Sequence, residues 1–351
     1  MKVLIVGGGL SGICLAHTFL ENNQGFKIID SGKNYSSKVA AGMINPMVFR
    51  KMVKTWRGDE VIPFLEDFYP KIESKTNARF FFQRKLRRVF STPEEAKLWK
   101  ERLTDSSYNN YICRPSEEDE APNYIKDAFG SGWVKSPGYI EPKSFMEANR
   151  SYFKNLGLLS TTLFNYDKFD PEECIYDGKK YKAVVFAEGH HVKNNPLFSY
   201  LPIIEAKGEV LTITSNEIRK NEILNRKCFV LPQEDGKFKL GATFTWNPTD
   251  SEPTKEAKAT LLEQYKGLST AKIKVVDQEG GIRPTVADRR PLIGAHPEHN
   301  KCFIFNGMGT KGYMLAPFFA NHFYEFFTTN TALDKEVNIE RFYKKYYSPR
   351  P

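Results

Sequence analysis

The chain has 351 residues, which is enough to bury a large core and predicts two domains or one domain with a large insertion. Hydrophobic residues make up 40% and charged residues 26%, and no apolar stretch has the length that a bilayer-spanning helix needs, so we expect a globular protein without a membrane span. The net charge is +9, but the basic clusters are scattered and accompany no nucleic-acid-binding module, which favours a small anionic partner over nucleic acid.

The first thirty residues carry a dinucleotide-binding pattern. The apolar run Val3–Val6 meets Gly7, Gly9 and Gly12 in the spacing G-x-G-x-x-G, and a helix-like stretch leads to a second apolar run that ends at Asp30. The glycines permit a tight turn, close approach of a pyrophosphate and close helix packing. A carboxylate at position 30 can accept hydrogen bonds from both ribose hydroxyls and would repel a 2′-phosphate, which disfavours NADP. The identity of the dinucleotide stays open, and a glycine-rich turn in an unrelated α/β domain is the alternative.

The spacing of apolar residues predicts further elements in chain order. Helices are expected at 55–72, 91–103, 142–155, 255–268 and 315–327. Residues 79–90 indicate strands or a hairpin. A strand buried on both faces is expected at 183–187, where five apolar residues follow one another. β-rich segments at 205–214, 227–232 and 237–245, with a strand at 273–276, indicate an antiparallel sheet inserted into the nucleotide domain.

The cysteines and histidines indicate a compartment but no metal site. The five cysteines, at positions 14, 113, 174, 228 and 302, are widely spaced and form no C-x-x-C motif. This pattern is typical of a reducing compartment, so we expect a cytoplasmic protein. His190 and His191 are adjacent, but no ligand pattern accompanies them, and we interpret them as loop residues after a strand.

Five segments carry a more specific pattern than the glycines alone. They are the opening turn, 36–46 (SSKVAAGMINP), 184–189 (VVFAEG), 229–244 (FVLPQEDGKFKLGATF), and 280–294 (GGIRPTVADRRPLIG) with 305–318 (FNGMGTKGYMLAPF). In this order they resemble the D-amino-acid oxidase, glycine oxidase and sarcosine oxidase group of FAD enzymes, over nearly the whole chain.

The resemblance implies an α/β fold with a Rossmann-like, discontinuous FAD-binding domain and an inserted antiparallel β-sheet substrate domain of α+β character. Residues 1–75, 140–200 and 277–345 would form the FAD-binding domain. Residues 76–139 and 201–276 would form the substrate domain, and 346–351 a basic tail.

The resemblance also implies how FAD is held. The expected FAD-binding residues are Gly7, Gly9, Leu10, Ser11, Gly12, Asp30, Ser31, Ser37, Ala41, Gly42, Met43, Gly189, Gly307, Met308, Gly309, Thr310, Lys311 and Gly312. Some relatives attach the flavin covalently through a histidine in the segment that matches 36–46 or through a cysteine near the end. This chain has no histidine in that segment, and Cys302 lies in an apolar strand, so we expect non-covalent FAD.

Arg283, in the motif G-I-R-P, matches the arginine that often holds the substrate carboxylate above the flavin. A guanidinium suits this role because it is planar, bidentate and permanently charged. A structural salt bridge or a contact with the flavin is the alternative. Lys311 is a second catalytic candidate, although a loop lysine is also compatible with a solvated position. Arg50 and Trp246 are further substrate-binding candidates.

The resemblance therefore implies oxidation of a C–N bond in a small amine or amino acid of the glycine, D-amino-acid or N-methyl type, with a carboxylate expected on the substrate. A hydride would pass to flavin N5, the imine would hydrolyse in water, and O₂ or another acceptor would reoxidise the flavin. Two alternatives stay open. One is a flavin oxidase that modifies wobble uridines in tRNA, and the other is a flavin-binding sensor or partner protein without turnover.

Overall fold

The computed structural model describes residues 1–33, 35–114, 120–135 and 137–347. The strands are β1 (Val3–Val6), β2 (Phe26–Ile29), β3 (Met43–Ile44), β4 (Met47–Val48), β5 (Val53–Lys54), β6 (Phe81–Gln83), β7 (Lys85–Val89), β8 (Ile112–Cys113), β9 (Ser131–Val134), β10 (Gly138–Ile140), β11 (Leu159–Ser160), β12 (Phe169–Asp170), β13 (Ile175–Tyr176), β14 (Lys179–Lys180), β15 (Ala183–Phe186), β16 (Ile203–Thr214), β17 (Glu222–Asn225), β18 (Phe229–Pro232), β19 (Phe238–Gly241), β20 (Thr245–Trp246), β21 (Lys274–Val286), β22 (Leu292–Ala295) and β23 (Cys302–Asn306). The α-helices are α1 (Leu10–Glu21), α2 (Tyr35–Val39), α3 (Gly58–Thr76), α4 (Pro93–Thr104), α5 (Pro142–Asn155), α6 (Lys255–Leu268), α7 (Gly312–Thr329) and α8 (Tyr343–Tyr346).

The opening pattern folds into a six-stranded sheet, here called sheet A, with the strand order β11-β2-β1-β15-β23-β22. Its strands are parallel apart from β22, which runs antiparallel to β23. The predicted strand at 183–187 is confirmed as β15, and its four residues are buried because helices α1 and α7 cover one face of the sheet and β12–β14 with the C-terminal segment cover the other. The predicted βαβ opening is therefore confirmed.

The middle of the chain builds a nine-stranded sheet, here called sheet B. Its order is β20-β16-β19-β18-β17-β7-β9-β8, and β21 pairs with the second edge of β16. The pairing is antiparallel apart from β17 with β7, so the predicted antiparallel substrate sheet is confirmed in the main. The hairpin considered for 79–90 is wrong, because β6 pairs with β10 in a small sheet whereas β7 pairs with β9 and β17.

Strand β21 is longer than the sequence indicates. The expected strand at 273–276 continues to Val286, and it pairs with β16 from Lys274 to Val286 with a register shift between Thr212 and Ile213. Gly281 lets α2 pack closely on this strand, since a Cβ there would lie 3.3 Å from the Cα of Ser36 on α2. The strand crosses the expected domain boundary between residues 276 and 277, and the domain boundaries stay a prediction. Of the expected basic tail, residues 348–351 lie outside the described residues.

The helices follow the apolar spacing closely. Helix α5 matches the expected range, and α4 begins at Pro93 with the Thr92 hydroxyl accepting a hydrogen bond from the Glu95 amide. Helix α3 begins at Gly58, later than expected, because Arg57 adopts a left-handed conformation with φ of 54°. No helix among the described residues is both long and apolar enough to span a bilayer.

Candidate functional site

A cavity of about 920 Å³ lies where the carboxyl ends of β1, β2 and β15 face strands β16 and β21 of sheet B. Its walls come from segments that are far apart in sequence, namely the opening glycine turn, residues 36–45, 161–166, 187–194 and the loop 308–314. Carboxyl ends of parallel strands meet at one edge of a sheet, which explains why these loops converge. The volume is near the upper end of the range for small-molecule sites.

The opening glycines form one wall of the cavity through their main chain. Gly7 has a φ of 106°, and a Cβ there would lie 2.4 Å from the carbonyl oxygen of Ala187 on the neighbouring loop. Gly9 caps α1, and Gly9, Leu10 and Ser11 line the cavity, so the helix N-terminus opens into it. No acidic residue lies in the first turn of α1, which leaves its positive end available to an anion. The turn is therefore shaped to hold a phosphate.

Gly12 has a packing role and does not line the cavity. A Cβ at this position would lie 1.9 Å from the carbonyl oxygen of Gly7, so any larger residue would push α1 away from the turn. This is the close helix packing that the third glycine of the pattern was expected to provide.

Asp30 is held in place at the end of β2. Its carboxylate accepts hydrogen bonds from the amides of Gly8 and Gly32, each at 3.0 Å, and it forms an ion pair with Arg150 of α5. Asp30 and Ser31 both line the cavity. Arg150 could not be identified from the sequence, because it lies on a helix 120 residues downstream and nothing in the pattern indicates that its side chain contacts Asp30.

The segment 36–45 is fastened to three other walls of the cavity. The Ser37 hydroxyl accepts a hydrogen bond from the Leu10 amide at 3.0 Å, and the Tyr313 hydroxyl donates to the Ser37 carbonyl at 2.7 Å. The Ser36 hydroxyl donates to the carbonyl of Ile282 on β21 at 2.6 Å. Ser37, Ala41, Gly42 and Met43 all line the cavity, as the sequence pattern indicated.

Arg283 projects from β21 into the cavity with its charge uncompensated. Both terminal nitrogens donate to the carbonyl of Thr243 at 3.3 Å, and the guanidinium lies over Gly208, where a Cβ would be 1.8 Å from Nη2. Burial lowers the pKa of Arg283 to about 10. Within the described ranges no carboxylate forms an ion pair with it. A structural salt bridge is thus not what holds Arg283, and the guanidinium is available to an anionic ligand.

Lys311 is a second partly buried cation on the cavity wall. Its ammonium donates to the hydroxyl of Thr55 and to the carbonyl of Asn45 at 3.5 Å. Burial lowers the pKa of Lys311 to about 8. The side chain extends from the helical turn Gly309–Lys311 toward Asn45 and lines the cavity, and its role there stays a prediction.

Three ionisable residues after β15 line the cavity, and sequence reasoning did not assign them to it. The Glu188 carboxylate accepts hydrogen bonds from the Tyr166 hydroxyl and from Asn195 Nδ2, and burial raises the pKa of Glu188 to about 7. The rings of His190 and His191 lie 4.0 Å apart, and burial lowers the pKa of His190 to about 4. The available signal was their position, directly after a buried parallel strand. Among the described residues, no group of three or more His, Cys, Asp or Glu side chains is placed to hold a metal ion.

The structure does not bring every expected site residue to the cavity. Gly189 and the loop residues Met308, Gly309, Thr310 and Gly312 line it. Three others lie outside its lining. Gly307 packs beside Val286 and Leu292, Arg50 is exposed in the turn between β4 and β5, and Trp246 lies on β20, where it is 45% exposed.

Comparison with known proteins establishes the family. The family described as FAD dependent oxidoreductase (DAO) matches residues 2–325. The chain belongs to this family. The resemblance to the D-amino-acid oxidase and glycine oxidase group is therefore confirmed, and so is the expected fold class of a Rossmann-type FAD domain with an antiparallel substrate sheet.

Individual relatives and solved structures match the chain over most of its length. Glycine oxidase of Bacillus subtilis is 22% identical over 345 residues, and the match covers 90% of each chain. The L-proline dehydrogenase structure from P. horikoshii has a TM-score of 0.81 and 17% identity, with 99% of each chain covered. The tRNA 5-methylaminomethyl-2-thiouridine biosynthesis bifunctional protein MnmC of Idiomarina loihiensis is 22% identical over 350 residues, which are 91% of this chain and 54% of that protein.

The cavity residues fit the FAD that a DAO-family fold implies. The N-terminus of α1 suits the diphosphate, since Gly7 and Gly9 leave the main chain open and the first turn carries no acid. The buried carboxylate of Asp30 suits a ribose, because it is already oriented by two amides. The loop 308–312 reaches the same cavity from the end of β23.

Proposed function

We propose that the chain oxidises a C–N bond of a small amine or amino acid, with FAD as the acceptor of the hydride. The observation that carries this proposal is the uncompensated guanidinium of Arg283, which lines the same cavity as the glycine turn. A desolvated, unpaired cation is unfavourable unless a ligand supplies the counter-charge, so Arg283 favours a substrate with a carboxylate.

The residues divide the work between holding FAD and orienting the substrate. The helix N-terminus at Gly9, Asp30 and the segment 36–45 would hold the diphosphate and ribose, and these assignments stay predictions. FAD, when bound, supplies the acceptor for a hydride. Arg283 would fix the substrate carboxylate and so position the carbon that loses hydrogen, which is catalysis by orientation. Lys311 would place a second positive charge in the cavity below pH 8.

Several features support non-covalent FAD. The segment 36–46 contains no histidine, and among the described residues no cysteine lines the cavity. Cys302 lies in β23, fully buried, and burial raises the pKa of its thiol. Denaturation in trichloroacetic acid followed by filtration should release all the flavin as FAD. Flavin that stays with the precipitate would point to a covalent link, for which His190 and His191 would then be the first residues to replace.

Anaerobic reduction tests the activity. The purified protein should show the absorption of oxidised flavin, and this absorption should bleach on mixing with amino acids or N-methyl amines in the absence of oxygen. Bleaching by none of a panel of glycine, sarcosine, D- and L-amino acids and their N-methyl derivatives would contradict the proposal and favour a sensor. Readmission of air then reports whether O₂ or another acceptor reoxidises the flavin. The cytoplasmic location stays a prediction.

A second candidate is oxidation of a modified uridine in tRNA. The relative from Idiomarina loihiensis and the net charge of +9 favour it. The chain spans about half the length of that relative, so the similarity concerns only part of that relative's activity. Binding of tRNA with an affinity that falls steeply as salt rises, together with competition against small substrates, would favour this candidate.

A further inference from the structure

An aromatic pair stands beside Arg283 at the end of sheet B. Phe244 and Trp246 are 39% and 45% exposed, and their ring centroids lie 4.7 Å apart in an edge-to-face arrangement. Large aromatic side chains are ordinarily buried to a greater extent, because their exposure leaves apolar surface in water. Two of them in contact and exposed together therefore form an apolar surface that a ligand can cover.

The register of the strands places Trp246 on the same face of sheet B as Arg283. Ala206 of β16 pairs with Trp246 on one side and with Arg283 on the other. Residues paired across strands project from the same face, so these three share a face. Gly208, two residues further along β16, lies on the same face of the strand and lines the cavity. Trp246 and Arg283 are thus two strand spacings apart, about 10 Å between Cα atoms, on the face that borders the cavity.

Arg283 and the aromatic pair are neighbours on this face of sheet B. Beneath them lie the small residues Ala206 and Gly208 of β16, and both are buried. The guanidinium of Arg283 leans across Gly208, and its carbon lies 5.3 Å from the centroid of the Phe244 ring. A ligand whose carboxylate meets Arg283 consequently reaches the aromatic pair within the width of one or two strands.

We propose that Phe244 and Trp246 bind an aromatic group of the substrate, so that the substrates are aromatic amino acids or glycines with an arylmethyl group on nitrogen. This proposal rests on the proposed function, in which Arg283 binds the carboxylate. The Arg283 guanidinium fixes one end of the substrate, and the two rings cover its flat end. Glycine and sarcosine make only the first of these two contacts.

The test compares two unreactive carboxylates that differ in the aromatic group. Acetate and 3-phenylpropanoate are titrated by calorimetry into the FAD-loaded protein, into Trp246→Ala and into Phe129→Ala, a control in which another exposed aromatic outside the cavity lining is removed. We expect Trp246→Ala to weaken 3-phenylpropanoate at least tenfold and acetate less than twofold, and the control to change neither. Trp246→Phe should retain most of the affinity. Melting curves of all variants establish that each is folded.

Several outcomes would overturn the assignment. In the first, the wild type binds 3-phenylpropanoate no more tightly than acetate. In the second, Trp246→Ala weakens the binding of both ligands equally, and in the third it weakens the binding of neither. Because calorimetry needs no turnover, the aromatic site and the proposed function can fail separately. Selective weakening without bleaching by any amine contradicts the oxidase, whereas bleaching by amines without selective weakening contradicts the aromatic site.

Discussion

The two sides of the cavity differ in whether main-chain or side-chain atoms form the site. On the sheet A side, the main chain makes the site, since Gly7 and Gly12 leave no space for a Cβ and α1 presents its amides. On the sheet B side, side chains make it, because Arg283 lies across Gly208 and beside Phe244. A site made of backbone depends on residue spacing within a few positions, whereas a site made of side chains depends on the pairing of distant strands.

The largest expected effect comes from a substitution on the sheet A side of the cavity, which the main chain forms. In Gly12→Val the added carbons would collide with the Gly7 carbonyl, which lies 1.9 Å from the position of a Cβ. We expect FAD affinity to fall more than a thousandfold or the protein to fail to fold, because the neighbouring atom is main chain that has no freedom to move. Gly267→Ala is the matched control, since nothing lies within 4 Å of its Cβ and α6 should gain about 0.5–1 kcal/mol. Flavin retained by purified Gly12→Val at the wild-type ratio would disprove the packing argument.

A change on the side-chain side should separate substrate from cofactor. Arg283→Leu should lower kcat/KM for carboxylate substrates about 100-fold to 1,000-fold, because a desolvated charge-assisted contact is lost. FAD affinity should change by less than about threefold, since the glycine turn is untouched. Arg219→Leu, an exposed arginine outside the cavity lining, serves as the control. If loss of flavin accounts for the whole defect of Arg283→Leu, the arginine supports the cofactor and the proposed role is wrong.

Lys311→Met should raise stability in a pH-dependent way. Burial lowers the pKa of Lys311 from 10.5 to about 8, so between these values the unfolded chain binds more protons than the folded chain. Lys311 therefore lowers the free energy of unfolding most below pH 8, and this destabilisation decreases as pH rises toward 10.5. We expect the flavin-free variant to be about 2–3 kcal/mol more stable than the wild type at pH 7, with a smaller difference at pH 9.5. Urea unfolding at both pH values measures this, and a pH-independent difference would show that lost packing decides the outcome.

Glu188→Gln should give the smallest effect, with the opposite dependence on pH. Burial raises the pKa of Glu188 from 4.5 to about 7, so its contribution to stability is complete below pH 4.5 and is lost as pH rises through 7. The flavin-free variant should match the wild type at pH 5 and exceed it by about 1–2 kcal/mol at pH 8. Melting temperatures at pH 5, 6, 7 and 8 follow the change. Parallel curves for the two proteins would mean that the carboxyl titrates near its usual value.

The difference between the two sides also decides what could be predicted from sequence. The glycine turn and the position of Asp30 were predictable, because their spacing is tied to one strand, one turn and one helix. Arg150 and Glu188 were not assigned, since the first reaches Asp30 from α5 and the position of the second depends on where β15 ends. Only the resemblance to a family brought Arg283 forward, and nothing in the local sequence shows that β16 sets it beside Phe244.

The hydrogen bond from the Ser36 hydroxyl to the Ile282 carbonyl links the two sides. Ile282 immediately precedes Arg283, and Ser36 begins the segment that we expect to border FAD. If FAD binding orders that segment, the hydrogen bond would therefore also order β21, the strand that carries Arg283. By thermodynamic reciprocity, a carboxylate bound at Arg283 would then tighten the hold on FAD by the same factor by which FAD improves carboxylate affinity.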